Sequence, residues 1–400
     1  MGDRRMIGFD EALAAVRDIA RPTGSAIIPI GEAEGGTLAA PVYAEIYSPW
    51  CDVSAMDGYA VRDADLATLP ARLRVAARNF AGTGSGGTLK PGTCVRIFTG
   101  APVPAGADRV VIQEDVEADG DAAVFAHPLS GSRYIRARGG DFACGALLLE
   151  PGRRIGYREL VAIAGGDIAE VACWRRPRIM LLGTGDELAA AGEAKHRAGA
   201  VPESVSLGVG ALAHRWGAHS LGAIRLPDDL GAMERAAEDA CAAADLVIVT
   251  GGASVGEKDF ARTMFERHGL DLIFSKVAIK PGKAVWLGRA GGALVMGLPG
   301  NPTSAMVTAR LLLAPLIAGL CGRDPGEALR WKNIPLAAGL PQTGSRETFV
   351  RAAWQAGRAV PLDNQDSSAQ RSLSAADLLL RRRAGAEALE AGAMVEAISF

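Results

Sequence analysis

Three glycine-rich strings, each at the end of a short apolar run, carry the clearest chemistry in this chain. Residues 179–182 run into Gly183-Thr184-Gly185-Asp186-Glu187, and 246–249 run into Thr250-Gly251-Gly252-Ala253-Ser254-Val255-Gly256. Residues 294–296 run into Gly297-Leu298-Pro299-Gly300-Asn301-Pro302. Glycine lets backbone N–H groups approach an anion, and a following helix adds its positive end. Between the second and third strings lies Lys276-Val277-Ala278-Ile279-Lys280-Pro281-Gly282-Lys283. In an extended segment Lys276 and Lys280 face the same side, and Lys283 follows a Pro-Gly turn. A lysine 4 Å from an anion contributes ~4 kcal/mol of Coulomb energy at an effective dielectric of 20. The expected ligand is phosphorylated or otherwise anionic.

Acidic residues accompany these cations: Asp186, Glu187, Asp228, Asp229 and Asp259. Carboxylates beside phosphate-binding loops usually hold a hard cation such as Mg²⁺. For Asp228 or Asp229 a helix N-cap is an equally good reading. Glu187, on a Gly-Thr-Gly turn, reads as functional, and Asp186, Glu187 and Asp259 are the candidate metal ligands. Asp57, Thr99 and Asp141 sit in Gly- and Pro-stiffened strings of the first part of the chain. Nothing local says that those strings meet the glycine loops.

The elements that must hold these residues are of two textures. From 23 to 176 short β-type runs, among them Arg109–Ile112 and Ala122–Phe125, alternate with turn signals such as Asp119-Gly120. A short helix is expected at 157–164. Beyond Arg175-Arg176-Pro177 strands alternate with helices near 207–216, 231–243, 259–268 and 303–314, which predicts a parallel or mixed sheet covered on both faces. Such sheets bind ligands at the carboxyl ends of their strands. Asn301 is the expected cap and Pro302 the first residue of the last helix. Phe9, Ala12, Leu13, Val16 and Ile19 mark one face of an opening helix that ends before Pro22. After 326 the chain returns to β texture, ending in a run over 394–398.

The bulk numbers fit several domains rather than one core across 400 residues. Glycine makes up 50 of those 400 residues, against a usual ~7%, so many tight loops are expected. A net charge of −2 argues against a nucleic-acid or membrane-surface binder. The six cysteines are scattered, with no Cys-x-x-Cys, and the histidines form no zinc-type pair; reduced thiols in a cytoplasmic compartment are expected. The N-terminus has no signal-peptide core, and Met6 stands where myristoylation needs Ser or Thr. The apolar stretch 311–320 is half a membrane span and contains Pro315.

Taken together, these strings resemble the molybdopterin molybdenumtransferase family (MoeA and the gephyrin E domain). They are SAMDGYAVR from Ser54, FTGAPVPAGAD from Phe98, RARGGDFACGA from Arg136 and GTGDEL from Gly183. Then come the Asp pair at Asp228, TGGASVGEKDF from Thr250, KVAIKPGK from Lys276, GLPGNPTSA from Gly297 and, more weakly, DNQDSSAQRSLSAADLL from Asp363. The order is the family's own and spans nearly the whole chain. The resemblance implies a multidomain α/β fold in an elongated, L-shaped subunit. A central molybdopterin-binding-like α/β domain (1–22 and 177–326) would be joined to a β-rich linker domain (23–44 and 145–176). An inserted β-rich domain (45–144) and a small C-terminal β-barrel (327–400) complete it.

It also implies insertion of molybdate into adenylylated molybdopterin with Mg²⁺, releasing AMP. The homodimer would share its sites between subunits, and a molybdopterin adenylyltransferase is the candidate donor of the adenylylated pterin. Carried over by position, Asp57, Thr99, Asp141, Glu187, Lys276 and Lys280 are the catalytic candidates. Ligand contacts fall to Gly183, Thr184, Gly185, Asp228, Gly251, Gly252, Ser254, Gly256, Lys283, Pro299, Gly300, Asn301 and Ser368. Two positions depart from the family pattern. Val53 stands where an Asn usually precedes the SAMDGYA string, and Pro202-Glu203-Ser204-Val205 replaces an Asp-Ser/Thr-Asn string. An apolar side chain cannot supply an amide's hydrogen bonds. Two other readings are an adenylyltransferase, whose single domain resembles the central one, and a non-catalytic ligand-binding scaffold.

Overall fold

The computed structural model describes residues 6–82, 87–251 and 260–400. Its centre is a six-stranded mixed sheet in the order His219–Leu226, Arg178–Thr184, Leu246–Thr250, Ala293–Leu298, Trp286–Ala290, Asp271–Phe274. The first four are parallel, and the last two add antiparallel. Alternate residues of the central strands go to opposite faces, as a pleated strand requires. Ile179, Leu181, Leu246 and Ile248 join the core under the helices Phe9–Ile19, Val205–Arg215 and 302–320. Leu182, Val247 and Val249 join the core under Leu230–Ala243 and Phe260–Glu266. The chain leaves Arg178–Thr184 toward one neighbour and returns on its other side at Leu246–Thr250. That reversal opens a crevice at the carboxyl ends of these strands.

The last helix runs further than its pattern suggests. It continues from Pro302 through a π-helical stretch, Ala309–Leu313, to Leu320. The widened turn immediately precedes Pro315, whose ring would otherwise clash with the carbonyl four residues back. By length and composition this helix could cross a membrane, but 94% of its apolar window is buried inside the protein. It is a core helix.

The final part of the chain forms a second six-stranded sheet, in which Ile279–Lys280 pairs in parallel with Glu347–Gln355. Glu347–Gln355 then pairs with Leu378–Arg382, which pairs with Met394–Ser399 and so with Lys332–Pro335. Arg358–Pro361 lies on the other side of Glu347–Gln355, and the bridge Leu336–Ala359 closes the ring. The opening helix ties the ring to the central sheet. Phe9 meets Phe349 edge to face at 5.1 Å, and Asp10 pairs with Arg381 and Arg383 at 2.5 and 2.8 Å.

A third six-stranded sheet, built from residues 58–125, carries the first set of candidate residues. Two short antiparallel pairs link it back, Val42–Tyr43 with Leu147–Leu149 and Ser25–Pro29 with Glu170–Trp174.

Candidate functional site

The three glycine loops meet. A Cβ on Gly251 would stand 2.5 Å from the carbonyl oxygen of Thr184, and one on Gly300 would stand 3.2 Å from the Cα of Gly251. Gly251 also has φ +94°, a conformation that L side chains rarely adopt. Only backbones without side chains can come this close, so the three strand ends form one floor. Thr184, 5% exposed, closes it by donating from Oγ1 to the carbonyl of Thr250 at 3.3 Å.

Above this floor lies a cavity of about 1110 Å³. Thr184, Glu187, Gly251, Lys280, Lys283, Pro299, Gly300, Asn301 and Ser368 line it. Gly183, Gly185, Asp186, Asp228 and Lys276 do not. Gly252, Ser254, Gly256 and Asp259 lie outside the described residues. Lys276 and Lys280 do not share a strand face: the amide of Ile279 donates to the carbonyl of Val277 at 2.8 Å, a tight turn that breaks the extended register. Asp186 accepts the amide of Asp228 at 3.0 Å, so these two acids brace one loop against another. Asp229 is a helix N-cap, accepting the amide of Ala232 at 2.7 Å.

The wall opposite the glycine loops comes from the C-terminal ring. Arg346 lines the cavity and donates from Nη1 to the carbonyl of Ile279 at 3.2 Å. The loop 365–368 lines it too and docks on the third glycine loop. Thr303 donates its amide to the carbonyl of Ser367 at 3.1 Å, and Asn301 donates from Nδ2 to Ser367 Oγ at 3.1 Å. Asn301 is therefore the N-cap residue by position, but its side chain bonds across the cavity edge instead of capping.

Arg351, fully buried, holds this loop from behind. It donates to the carbonyls of Asn364 and Asp366 at 3.1 and 3.0 Å and to Thr303 Oγ1 at 3.2 Å. Within the loop Ser368 donates amide and hydroxyl to Asp366 Oδ1 at 2.8 and 2.5 Å, which holds that carboxyl below the usual range. Arg346 and Arg351 escaped the sequence reading. The available signal was an arginine at an otherwise apolar position of the strand Glu347–Gln355.

The two departures have structural substitutes. Glu203 Oε1 accepts the amide of Ser206 at 2.8 Å, so it caps the helix Val205–Arg215, and Val205 lines the cavity as a buried apolar group. Val53, 7% exposed, packs in the two-residue strand that pairs with Ile135–Arg136.

Asp57 and Thr99 form a separate pair on the outer sheet. Asp57 precedes the strand Gly58–Val61 and Thr99 follows Thr93–Ile97, and these strands are antiparallel neighbours. Asp57 Oδ1 accepts the amide and the hydroxyl of Thr99, both at 2.7 Å. Those two donors, amide first, hold the Asp57 carboxyl below the usual range. Asp141 is exposed, and its amide donates to the carbonyl of Ser48, in the segment leading to Asp57, at 3.0 Å. None of these three lines the cavity of their own chain. Among the described residues no three His, Cys, Asp or Glu side chains stand together as a metal cage.

Known proteins are similar to this chain over most of its length. The MoeA N-terminal region (domain I and II) matches residues 7–165, a probable molybdopterin binding domain matches 180–319, and the MoeA C-terminal region (domain IV) matches 333–400. A molybdopterin molybdenumtransferase of Haemophilus influenzae is 35% identical over 88% of this chain and 86% of its own. The chain belongs to the molybdopterin molybdenumtransferase family. A second member, molybdopterin molybdenumtransferase 2 of Mycobacterium tuberculosis, is 31% identical over 94% of this chain and 95% of its own. The solved structure of a molybdopterin biosynthesis MoeA protein from Pyrococcus horikosii superposes with TM-score 0.84 at 28% identity, covering 99% of both chains. The molybdopterin molybdenumtransferase fold thus extends over the central sheet, the outer sheet and the C-terminal ring alike.

Proposed function

We propose that this chain inserts molybdate into adenylylated molybdopterin, releasing AMP and forming molybdenum cofactor. One observation carries the reading: three glycine loops and the cations Lys280, Lys283 and Arg346 line a single cavity. A phosphoanhydride and an oxyanion both need such donors. The chemistry is positioning plus electrostatic stabilisation and uses no protein nucleophile. The loops and Ser368 bind the adenylylated pterin, while the lysines and Arg346 hold molybdate and the charge that grows on the departing phosphate.

Mg²⁺ usually takes one or two carboxylates, several waters and substrate phosphates rather than an all-protein cage. Glu187, exposed at the cavity, fits that role, with Asp259 as its candidate partner. Bound there, the ion would neutralise phosphate charge. Asp57 and Thr99 flank strands of a different sheet from the cavity, and Asp141 lies in a loop bonded to Ser48. We assign them to the cavity of a second subunit, in a two-fold dimer that shares each site. All six cysteines are free, which supports a reducing, cytoplasmic setting, and a molybdopterin adenylyltransferase is the donor we expect.

The test is AMP release from adenylylated molybdopterin with Mg²⁺ and either molybdate or tungstate. Ligand binding without AMP release would identify a scaffold, and ATP-dependent adenylylation of molybdopterin would identify an adenylyltransferase. Either result overturns the proposal. For the shared site, inactive Asp57→Ala and inactive Glu187→Ala chains should regain activity after subunit exchange. Half the parent rate per mixed dimer is the ceiling, and no recovery despite exchange would mean each subunit builds its site alone.

A further inference from the structure

A second cavity, of about 800 Å³, lies between the core helices and the C-terminal ring and shares no lining residue with the first. Five cationic side chains line it, Arg154, Arg215, Arg310, Arg330 and Lys332, against two acids, Glu327 and Asp377. Both acids are already engaged. Glu327 pairs with Arg330 at 3.0 Å, and Asp377 Oδ2 accepts the amide of Trp354 at 2.8 Å.

Arg310 is the anomaly. It is 8% exposed on the buried helix, and it donates from Nε to the carbonyl of Ser399 at 2.9 Å and from Nη1 to that of Ala328 at 2.7 Å. Among the described residues no carboxylate pairs with it, and Arg215 adds a like charge beside it. Burial, with Arg215 second, pushes its pKa down to about 10, so it stays charged at neutral pH. Its guanidinium also lies over the Trp216 ring, 5.5 Å from the centroid. This buried charge thus faces carbonyls, an indole and another cation, and has no anionic counter-ion among the described residues. An anion entering this cavity would supply it.

The cavity also offers an aromatic face. The Trp354 side chain lines it and is 48% exposed, which leaves its indole open to a ligand. Indoles stack on planar bases, and the volume suits a nucleotide-sized ligand. We propose that this second cavity binds a nucleoside phosphate, with its phosphates on Arg310 and Arg215 and its base against Trp354.

Equilibrium dialysis of ADP against the full chain at low ionic strength tests this, with inorganic pyrophosphate as the base-free probe. Lys280→Ala weakens anion binding in the first cavity, where Lys283 and Arg346 remain, and leaves the second intact. In that background ADP should still bind, and adding Arg215→Glu, at an exposed position, should weaken it by about tenfold or more. Trp354→Ala should weaken ADP and leave pyrophosphate unchanged. Arg310→Met should weaken ADP as Arg215→Glu does; circular dichroism shows whether each variant is folded, and Arg215→Glu carries the test if Arg310→Met fails to fold. Loss of all ADP binding in Lys280→Ala, or binding indifferent to Arg215→Glu, overturns the site. Pyrophosphate binding as tightly as ADP overturns the nucleoside assignment.

Discussion

Replacing Arg351 with Met tests how the far wall of the first cavity is held. The side chain is fully buried, so Met fills much of its volume while removing every donor. Two of its bonds, to the carbonyls of Asn364 and Asp366, are of ordinary length at 3.1 and 3.0 Å. The bond to Thr303 is 3.2 Å and that to Ala369 is 3.5 Å, so these contribute less. Bonds from a charged donor contribute about 1.5–3 kcal/mol each, giving roughly 3–6 kcal/mol for the two good ones. Part of that returns, because Met carries no desolvated charge and the freed carbonyls of an exposed loop can take up water. The net loss is about 2–3 kcal/mol, or roughly 30- to 150-fold in the population of the docked loop. Hydrogen exchange at the amides of 364–369 should accelerate by that factor. The KM for adenylylated molybdopterin should rise more than kcat falls, because the loop binds ligand and performs no proton transfer. Arg351→Lys should recover little, since an ammonium cannot span acceptors on two segments as the guanidinium fork does. Unchanged exchange in a folded Arg351→Met chain would refute this account of the loop.

Further outcomes follow from the same geometry. Gly251→Ala should abolish ligand binding, because its Cβ would lie 2.5 Å from the carbonyl oxygen of Thr184 at φ +94°, whereas Gly300→Ala, with its nearest contact at 3.2 Å, should be milder; ligand titrations of both variants check the order. Lys280→Ala should cost roughly ten- to a hundred-fold in AMP release while the melting temperature hardly moves; early unfolding would make the lysine structural. Glu187→Gln should raise the Mg²⁺ concentration needed for half-maximal turnover, and an unchanged Mg²⁺ dependence would remove it as a ligand. Thr99→Val removes the hydroxyl donor that helps keep Asp57 ionised, so the carboxyl pKa should rise. Ionisation, and any activity that needs it, would then be lost at a higher pH as the solution is acidified; carboxyl NMR titration reads the shift directly.

The glycine loops and the strands that carry them were legible because both signals are local: short apolar runs, then residues chosen for small size. The features that escaped depend on partners distant in sequence or on one irregular turn. Lys276 and Lys280 separate because of a single turn at Ala278, which no side-chain pattern announces. The helix was expected only over 303–314, yet a widened turn at Ala309–Leu313 carries it past Pro315. Asn301 has the composition of a cap, but a competing hydroxyl, Ser367, takes its amide. Asp57 and Thr99 stood out separately, and only antiparallel pairing makes them one unit. Arg346 reaches the cavity from just before a strand of a different sheet, and Arg351, on that strand, holds the 364–366 loop behind it, so nothing in their own neighbourhood points to the glycine loops.

The short strand Ile279–Lys280 has a mechanical consequence. Although it follows the central sheet in sequence, it is hydrogen-bonded to Glu347 and Thr348 of the C-terminal ring. Lys280 and Arg346 therefore stand on one body of the cavity wall, while Glu187, Gly251 and Asn301 stand on the other. The cavity spans the seam between the two, and bonds latch that seam on both sides: Thr303 and Asn301 to Ser367 and Arg351 to Thr303 at the cavity edge, Phe9 against Phe349, Asp10 to Arg381 and Arg310 to Ser399 elsewhere along it. A ligand that bridges the two bodies adds its own bonds to that latch.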